Sequence, residues 1–199
     1  AGCGKSAGRG ADAEKSIENL SLSIGYPAIC VYIETTNSGG QTMQCKVTTS
    51  LEKIFDDAGS PVFPVIERDV AAKGEVYSFQ IVLTGEPGWY RVVLDGALNA
   101  RIRTVDSVPV RLAADNEEPY FLRTAPGLYP DLLNRLEDGD SFRILPRQPR
   151  VLWVTVPVPE DCVPGEYELG FSFFSRGKSC APGARSRFRR SLSRCRRRN

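Results

Sequence analysis

The chain of 199 residues contains no histidine. That absence excludes histidine as a general base, as the partner of a serine or cysteine nucleophile, and as a metal ligand. The chain also lacks any run of 18 or more apolar residues, so we expect no stretch of it to span a membrane. Any chemistry would have to depend on carboxylates, lysine, tyrosine or cysteine.

Acidic residues are missing from the C-terminal end. From Arg176 onward there are ten basic side chains and no acid, whereas residues 1–175 carry 16 basic and 24 acidic side chains. An acidic body argues against a nucleic-acid-binding fold, because phosphate contacts need a basic face. The abrupt change to arginine, serine and cysteine favours a disordered tail or a shifted reading frame over an arm for nucleic acid or an anionic membrane.

Helical periodicity is scarce, and short β-like runs dominate from Leu20 onward. These runs are cut by turns drawn from 14 prolines and 18 glycines. The pattern predicts an all-β fold, an antiparallel β-sandwich over residues 20–175, with a flexible leader at 1–19 and a basic, disordered tail at 176–199. The predicted strands are Leu20–Ile24, Ile29–Thr35, Gln44–Thr49, Val62–Ile66, Val76–Leu83, Tyr90–Leu94, Arg101–Val105, Val108–Leu112, Val151–Val158 and Tyr167–Phe173.

Two short helical turns and one docked loop complete the predicted fold. Ser50–Phe55 begins with a plausible N-cap, and Pro130–Leu136 begins with proline at the first helical position. Residues 113–149 form a long connection, in which Tyr120–Pro130 carries too much apolar area to stay in water. We therefore expect Tyr120–Pro130 to dock, either on the domain's own core or on a neighbouring domain.

No arrangement of side chains predicts a catalytic, cofactor or metal site. The adjacent acids Asp56–Asp57, Glu117–Glu118 and Glu160–Asp161 lie beside turn-forming residues, which is typical of solvated turn acids. Glycosidase chemistry needs a pair of carboxylates that flank the substrate. Gly4–Lys5–Ser6 matches the end of a phosphate-binding loop but lacks the earlier glycine, the strand before it and the helix after it.

The first three residues, Ala1–Gly2–Cys3, are similar to the cleavage site of a bacterial lipoprotein signal, in which the cysteine takes the lipid. The polar leader behind Cys3 would then act as a tether. Two interpretations of Cys3 stay open: it is lipidated, or it is an ordinary cysteine in a flexible leader. Lipidation implies an extracytoplasmic chain that meets the membrane only through its lipid anchor.

Cys30 and Cys45 bracket a stretch that predicts a β-hairpin. A turn centred on residues 37–38 places the two cysteines directly opposite each other, within reach of a disulfide. A turn centred on residues 39–40 places Glu34 opposite Cys45 instead. A Cys30–Cys45 disulfide in an oxidising compartment and two unpaired core thiols both stay open.

The two tryptophans have different predicted environments. Trp153 lies in the middle of an apolar strand and is predicted to be in the core, where it can pack on Tyr167 across the turn at Pro164–Gly165. Trp89 follows a turn at the start of a strand. If its ring is exposed there, it can stack on a sugar.

Three further stretches, with the motifs Glu-x-x-Ser-Phe-Gln and Trp…Pro-Gly-x-Tyr, occur in a specific order. They are Thr49–Phe55 (TSLEKIF), Ala71–Leu83 (AAKGEVYSFQIVL) and Leu152–Tyr167 (LWVTVPVPEDCVPGEY). Over residues 45–175 the chain resembles the N-terminal domain of glycoside hydrolase family 123 and related uncharacterised glycoside hydrolases. Residues 20–48 and those after Ser175 depart from the family pattern.

The resemblance implies a β-sandwich that precedes a catalytic (β/α)-barrel. In the family, the barrel carries the acidic pair, and the acetamido group of the substrate assists hydrolysis of an N-acetylhexosamine. No catalytic residue is carried over, because those positions lie downstream of this chain. The resemblance predicts a non-catalytic accessory domain of a secreted glycoside-hydrolase-like protein, truncated before its partner barrel. The alternative is a stand-alone carbohydrate-binding or adhesion module.

Overall fold

The computed structural model describes residues 26–36, 43–57, 61–111, 122–137 and 139–175. These ranges contain ten β-strands and no helix, so the predicted all-β sandwich is confirmed. The leader, Cys3, the predicted strand at Leu20–Ile24, Glu117–Glu118 and the tail at 176–199 lie outside the described residues. The strands are β1 (Ala28–Thr36), β2 (Gln44–Thr49), β3 (Arg68–Val70), β4 (Val76–Thr84), β5 (Gly88–Gly96), β6 (Arg101–Val110), β7 (Gly127–Leu136), β8 (Ser141–Ile144), β9 (Arg150–Pro157) and β10 (Glu166–Ser175).

The strands form two five-stranded sheets. Sheet I has the order β3-β1-β10-β5-β8, and sheet II has the order β2-β4-β9-β6-β7. Sheet II is antiparallel throughout. Sheet I is antiparallel except where β1 runs parallel to β10, with Ala28 opposite Glu166. Parallel neighbours need a long connection, and here the rest of the domain supplies it.

The core lies between the two sheets and follows from the period-two pattern of the strands. In β4, Phe79, Ile81 and Leu83 are fully buried, as expected for alternate residues that share one face of a strand. The ring of Phe79 meets that of Phe171 in β10 edge to face, with centroids 6.1 Å apart. Aromatic pairs of this geometry stabilise a core beyond the area that they bury.

The outer face of sheet II is partly covered by the segment that follows β2. Ile54 packs there on Val82 and Val151, with Phe63 beside them. The Gln80 amide donates to the carbonyl oxygens of Thr49, at 2.9 Å, and Glu52, at 2.8 Å. A side chain on the outer face of β4 thus holds the turn against the sheet.

The helical turn predicted at Pro130–Leu136 is wrong, because these residues belong to β7. Leu133 lies opposite Val105 of β6, and Pro130 lies next to a register shift at Asp106–Ser107. Proline is tolerated in strands at such irregularities and at sheet edges. Pairing with β6 overrides the local helical pattern. The helical turn predicted at Ser50–Phe55 is also absent, because residues 50–51 form a non-helical turn and residues 52–55 have no regular secondary structure.

The other differences concern where strands begin, end and pair. Val62–Ile66 is not a strand, and the two strands predicted between Arg101 and Leu112 form the single strand β6. The predicted hairpin between β1 and β2 is wrong, since these strands lie in different sheets. Strands β3, β7 and β8 were not predicted.

Trp153 is not in the core between the sheets. Its neighbours Leu152 and Val154 are fully buried in that core, so the alternation of β9 turns Trp153 to the outer face of sheet II, where it is half-buried. Tyr167 lies in sheet I and donates instead to the carbonyl oxygen of Val163, at 2.8 Å. The predicted packing of Trp153 on Tyr167 is therefore wrong.

At Gly96 the backbone of β5 lies close to the backbone of β10. A Cβ atom at Gly96 would lie 2.7 Å from the backbone oxygen of Glu168 and 2.9 Å from Cδ2 of Leu169. We expect Gly96→Ala to lower the free energy of unfolding by about 1–3 kcal/mol, because the opposing backbone cannot move aside easily. At Gly88, at the other end of β5, a Cβ atom would meet only the ring of Tyr90, at 3.6 Å. Gly88→Ala should therefore change the free energy of unfolding by less than about 0.5 kcal/mol. Urea unfolding of both variants measures the difference, and equal costs would contradict the close approach.

Candidate functional site

The loop before β7 is fixed to the domain by Arg123. Its guanidinium donates two hydrogen bonds to the Asp57 carboxylate, at 2.8 and 2.7 Å. The same guanidinium lies over the rings of Phe55 and Tyr129, 5.2 and 5.4 Å from their centroids. A bidentate ion pair combined with two cation–π contacts gives this contact a defined geometry.

The backbone of the loop supports the same contact. The Tyr129 hydroxyl lies 2.6 Å from the carbonyl oxygen of Ala125 and 3.2 Å from that of Arg123, and its proton is donated to these acceptors. A Cβ atom at Gly127 would lie 2.6 Å from Nη2 of Arg123, so a larger residue would displace the guanidinium. The described part of the predicted docked loop, residues 122–130, therefore docks on its own domain.

The electrostatics of the contact follow from its geometry. Hydrogen bonds from Arg123 hold the pKa of the Asp57 carboxyl below its usual range. The same hydrogen bonds raise the pKa of Arg123. An acid whose pKa is lowered in this way is a structural partner that stays ionised, not a proton donor.

We expect Arg123→Ala to release residues 122–130, because it removes the ion pair and both ring contacts at once. The measurement is amide hydrogen exchange over 122–130, with exposed Arg147→Ala as the control. Since the pKa of Asp57 is lowered on folding, protection in the unsubstituted chain should persist above the ordinary aspartate range. It should then be lost as the pH falls through the lowered pKa. Protection of residues 122–130 that survives in Arg123→Ala would contradict the role of Arg123 in fixing this loop.

A second ionic cluster lies beside the first residue of β9, where β6 and β7 extend beyond the end of that strand. Asp106 accepts hydrogen bonds from Arg150, at 2.5 Å, and from the Asn134 amide. Burial opposes ionisation of Asp106, but these hydrogen bonds prevail and lower its pKa. Asp106 thus joins three adjacent strands beside the register shift in β6.

Cys30 and Cys45 line the same cleft, of about 420 Å³, between the two sheets. Residues 66–67 bridge β2 and β1 on this side of the sandwich. The backbone amide of Ile66 donates to the carbonyl oxygen of Val47 in β2 at 2.9 Å, and the backbone amide of Val31 in β1 donates to the carbonyl oxygen of Glu67 at 3.0 Å. Burial raises the pKa of the Cys45 thiol to about 12. Cys45 is therefore a protonated free thiol at neutral pH and a poor nucleophile. The disulfide is not formed in the structure, and a bridge across the cleft stays a prediction.

Trp89 is the exposed aromatic that the sequence singled out for sugar stacking. It is 52% exposed on the outer face of sheet I and lies opposite Arg143 of β8. The turn before it is fixed by the Tyr90 hydroxyl, which donates to the carbonyl oxygen of Glu86 at 2.9 Å. The structure thus leaves Trp89 accessible on a rigid strand.

The remaining candidates do not converge on a reaction centre. Asp56 and Asp57 lie in one turn, and Glu160 and Asp161 lie exposed in another, as expected of turn acids. Within the described ranges, no three cysteine, aspartate or glutamate side chains are grouped so that they could hold a metal ion. The same part of the chain contains no helix that is long and apolar enough to cross a membrane.

The chain matches no family model, and no curated protein shows a significant match to it.

Proposed function

We propose that the chain is a non-catalytic β-sandwich accessory domain of a secreted, glycoside-hydrolase-like protein, whose partner is a catalytic barrel of the same parent. The observation that carries this proposal is that the three family-like stretches are bonded to one another. Thr49–Phe55, Ala71–Leu83 and the β9 part of Leu152–Tyr167 are joined at sheet II, because β4 pairs with β9 and Gln80 of β4 bonds to the turn after β2. The end of the third stretch continues into β10 of sheet I. Gln80 and the Gly74–Glu75 pair supply links between the stretches.

Gln80, the last residue of the Ser-Phe-Gln motif, supplies the first of these links. Its amide donates to Thr49 and Glu52, so the second stretch holds the turn of the first. Gln80 is only 3% exposed, and a buried amide that makes two hydrogen bonds is structurally demanding. The two hydrogen bonds give glutamine at this position a structural role, as expected for a residue of an accessory domain.

The Gly-Glu pair at the start of the second stretch supplies another link. The carbonyl oxygen of Glu75 accepts a hydrogen bond from the amide of Val158 at 2.8 Å. Gly74 has φ of 73° and lies against Glu160, whose Cγ would be 3.2 Å from a Cβ atom at Gly74. Only glycine adopts this backbone at low cost. The motif residues thus have structural roles, which supports a scaffold function.

Strand β7 offers a surface that a neighbouring domain would cover. It is an edge strand of sheet II, and its Leu128, Leu132 and Leu133 are each more than 40% exposed. Exposed apolar edge strands promote pairing with other chains unless something covers them. A barrel in the same parent protein would supply that cover.

We expect the chain to produce no hydrolysis of aryl N-acetylhexosaminides above the buffer rate, because the acid pairs that the structure describes, at 56–57 and 160–161, lie in separate turns. Release of the chromogenic aryl group measures this, with a known N-acetylhexosaminidase as the positive control. Catalysed turnover that Glu160→Gln or Asp57→Asn abolishes would contradict the proposal, since it would assign a catalytic carboxylate to this chain.

The second candidate is a stand-alone carbohydrate-binding or adhesion module, favoured by the exposure of Trp89. For this function we expect saturable binding of a neutral oligosaccharide, lost in Trp89→Ala because the ring supplies the stacking surface. Calorimetric titration measures the binding. The control is Leu145→Ala, because Leu145 is an exposed apolar residue directly after β8 of sheet I. Binding that is equal in both variants would exclude Trp89 as the platform.

A further inference from the structure

The uncovered half of the outer face of sheet II combines arginines with a tryptophan. Arg103 of β6 lies directly opposite Trp153 of β9 on one side and Arg135 of β7 on the other. Arg101, two residues earlier in β6, lies opposite Thr155. The sequence contains a signal for this arrangement, since Arg101 and Arg103 alternate with the buried Ile102 and Thr104. We call Arg101, Arg103, Arg135 and Trp153 the arginine face.

The charges of the arginine face are incompletely balanced within the domain. Arg103 and Arg135 are like charges in directly opposite positions, which is destabilising between strands. Arg135 pairs with Glu137, and both side chains are more than half exposed. Arg103 donates to the neutral hydroxyl of Thr155, at 3.4 Å. Outward residues of the next strand are uncharged too: Ser78 lies opposite Thr155, and Gln80 lies opposite Trp153.

This concentration of positive charge contrasts with the acidic balance of residues 1–175, to which it belongs. Residues 1–175 carry 24 acidic and only 16 basic side chains. A cleft of about 530 Å³ opens beside the face, lined by its three arginines together with Glu137 and the apolar Ile102 and Leu136. A ligand that suits this place must bring negative charge.

Trp153 adds a flat apolar surface to the arginines. Adjacent strands are about 4.8 Å apart, and residues two apart in a strand are about 6.8 Å apart. A ring stacked on Trp153 would therefore bring its own substituents within reach of Arg103. The Arg103 guanidinium is directed toward Thr155, two residues from Trp153 along β9. Guanidinium groups bind carboxylate and sulfate oxygens through paired hydrogen bonds.

We propose that the arginine face binds an acidic polysaccharide, with a sugar ring stacked on Trp153 and carboxylate or sulfate groups held by Arg103, Arg135 and Arg101. This inference is independent of the accessory role and of Trp89, which lies on the other sheet. Nucleic acid shares negative charge and stacking rings, but its binding depends on many phosphate contacts over an extended basic surface. The acidic body and only three arginines favour the glycan.

The test uses the full chain with its tail made neutral. Basic tail residues would bind any polyanion, so all ten are replaced by serine in every protein: Arg176, Lys178, Arg185, Arg187, Arg189, Arg190, Arg194, Arg196, Arg197 and Arg198. Trp89→Phe is added for the fluorescence readout, because it leaves Trp153 as the sole tryptophan of the chain. The probes are polygalacturonate, which carries carboxylates only, chondroitin sulfate, which carries carboxylates and sulfates, dextran as a neutral polymer, and single-stranded DNA.

We expect polygalacturonate, chondroitin sulfate or both to bind saturably, to change the fluorescence of Trp153 and to bind less tightly as salt is added. Binding of polygalacturonate identifies carboxylate as a sufficient charged group, whereas binding of chondroitin sulfate without polygalacturonate identifies sulfate as the group that is needed. Arg103→Ser and Arg135→Ser should each weaken binding by about tenfold or more. Arg143→Ser, on the outer face of sheet I, should leave it unchanged.

Four results would overturn the proposal. They are no binding of either acidic polymer, equal binding of dextran, affinity that Arg103→Ser and Arg135→Ser both leave unchanged, and tighter binding of DNA through the same arginines. Circular dichroism and thermal unfolding confirm that each variant is folded. Arg135 has a side chain that is 81% exposed, so Arg135→Ser keeps the test decisive if Arg103→Ser fails to fold.

Discussion

The contact between the inner faces of the two sheets is the interaction on which the rest of the structure depends. Phe79 of sheet II meets Phe171 of sheet I edge to face with ring centroids 6.1 Å apart, and within sheet I the ring of Phe142 meets that of Phe173 at the same distance. Replacing a buried phenylalanine by alanine typically costs about 3–5 kcal/mol, a large part of the stability of a domain. The outer surfaces, including both tryptophans, are presented by strands whose alternate residues are fixed in this core.

The parts of the fold that the sequence predicted correctly are those with a strong period of two. Strand β4 is the best example, since Phe79, Ile81 and Leu83 lie inward as the alternation requires. Strand β7 was missed because Pro130 and its leucines fit a helical turn equally well, and the choice was made by pairing with β6. The partner of a strand is a long-range property that local pattern does not contain.

The candidate sites depended even more on long-range information. Asp57 and Arg123 are 66 residues apart in the sequence, and no spacing rule connects them. Trp153 was assigned to the core because its neighbours are apolar, although strand alternation turns it outward whenever Leu152 and Val154 face in. Trp89 is exposed, in an environment that the sequence left open, and sugar stacking on its ring stays a prediction. Cys30 and Cys45 do share one environment, but across the gap between two sheets and not within a hairpin.

The parallel pairing of β1 with β10 has a mechanical consequence. The register runs from Ala28 opposite Glu166 to Thr36 opposite Phe174, so the first and last described strands lie side by side over nine residues. Because they point the same way, the described chain enters the domain at one end of this pair and leaves it at the other. A force applied across the domain would therefore shear all the hydrogen bonds between β1 and β10 together and could not unzip them one by one. In that geometry the domain resists extension as a stiff link between whatever is attached at its two ends.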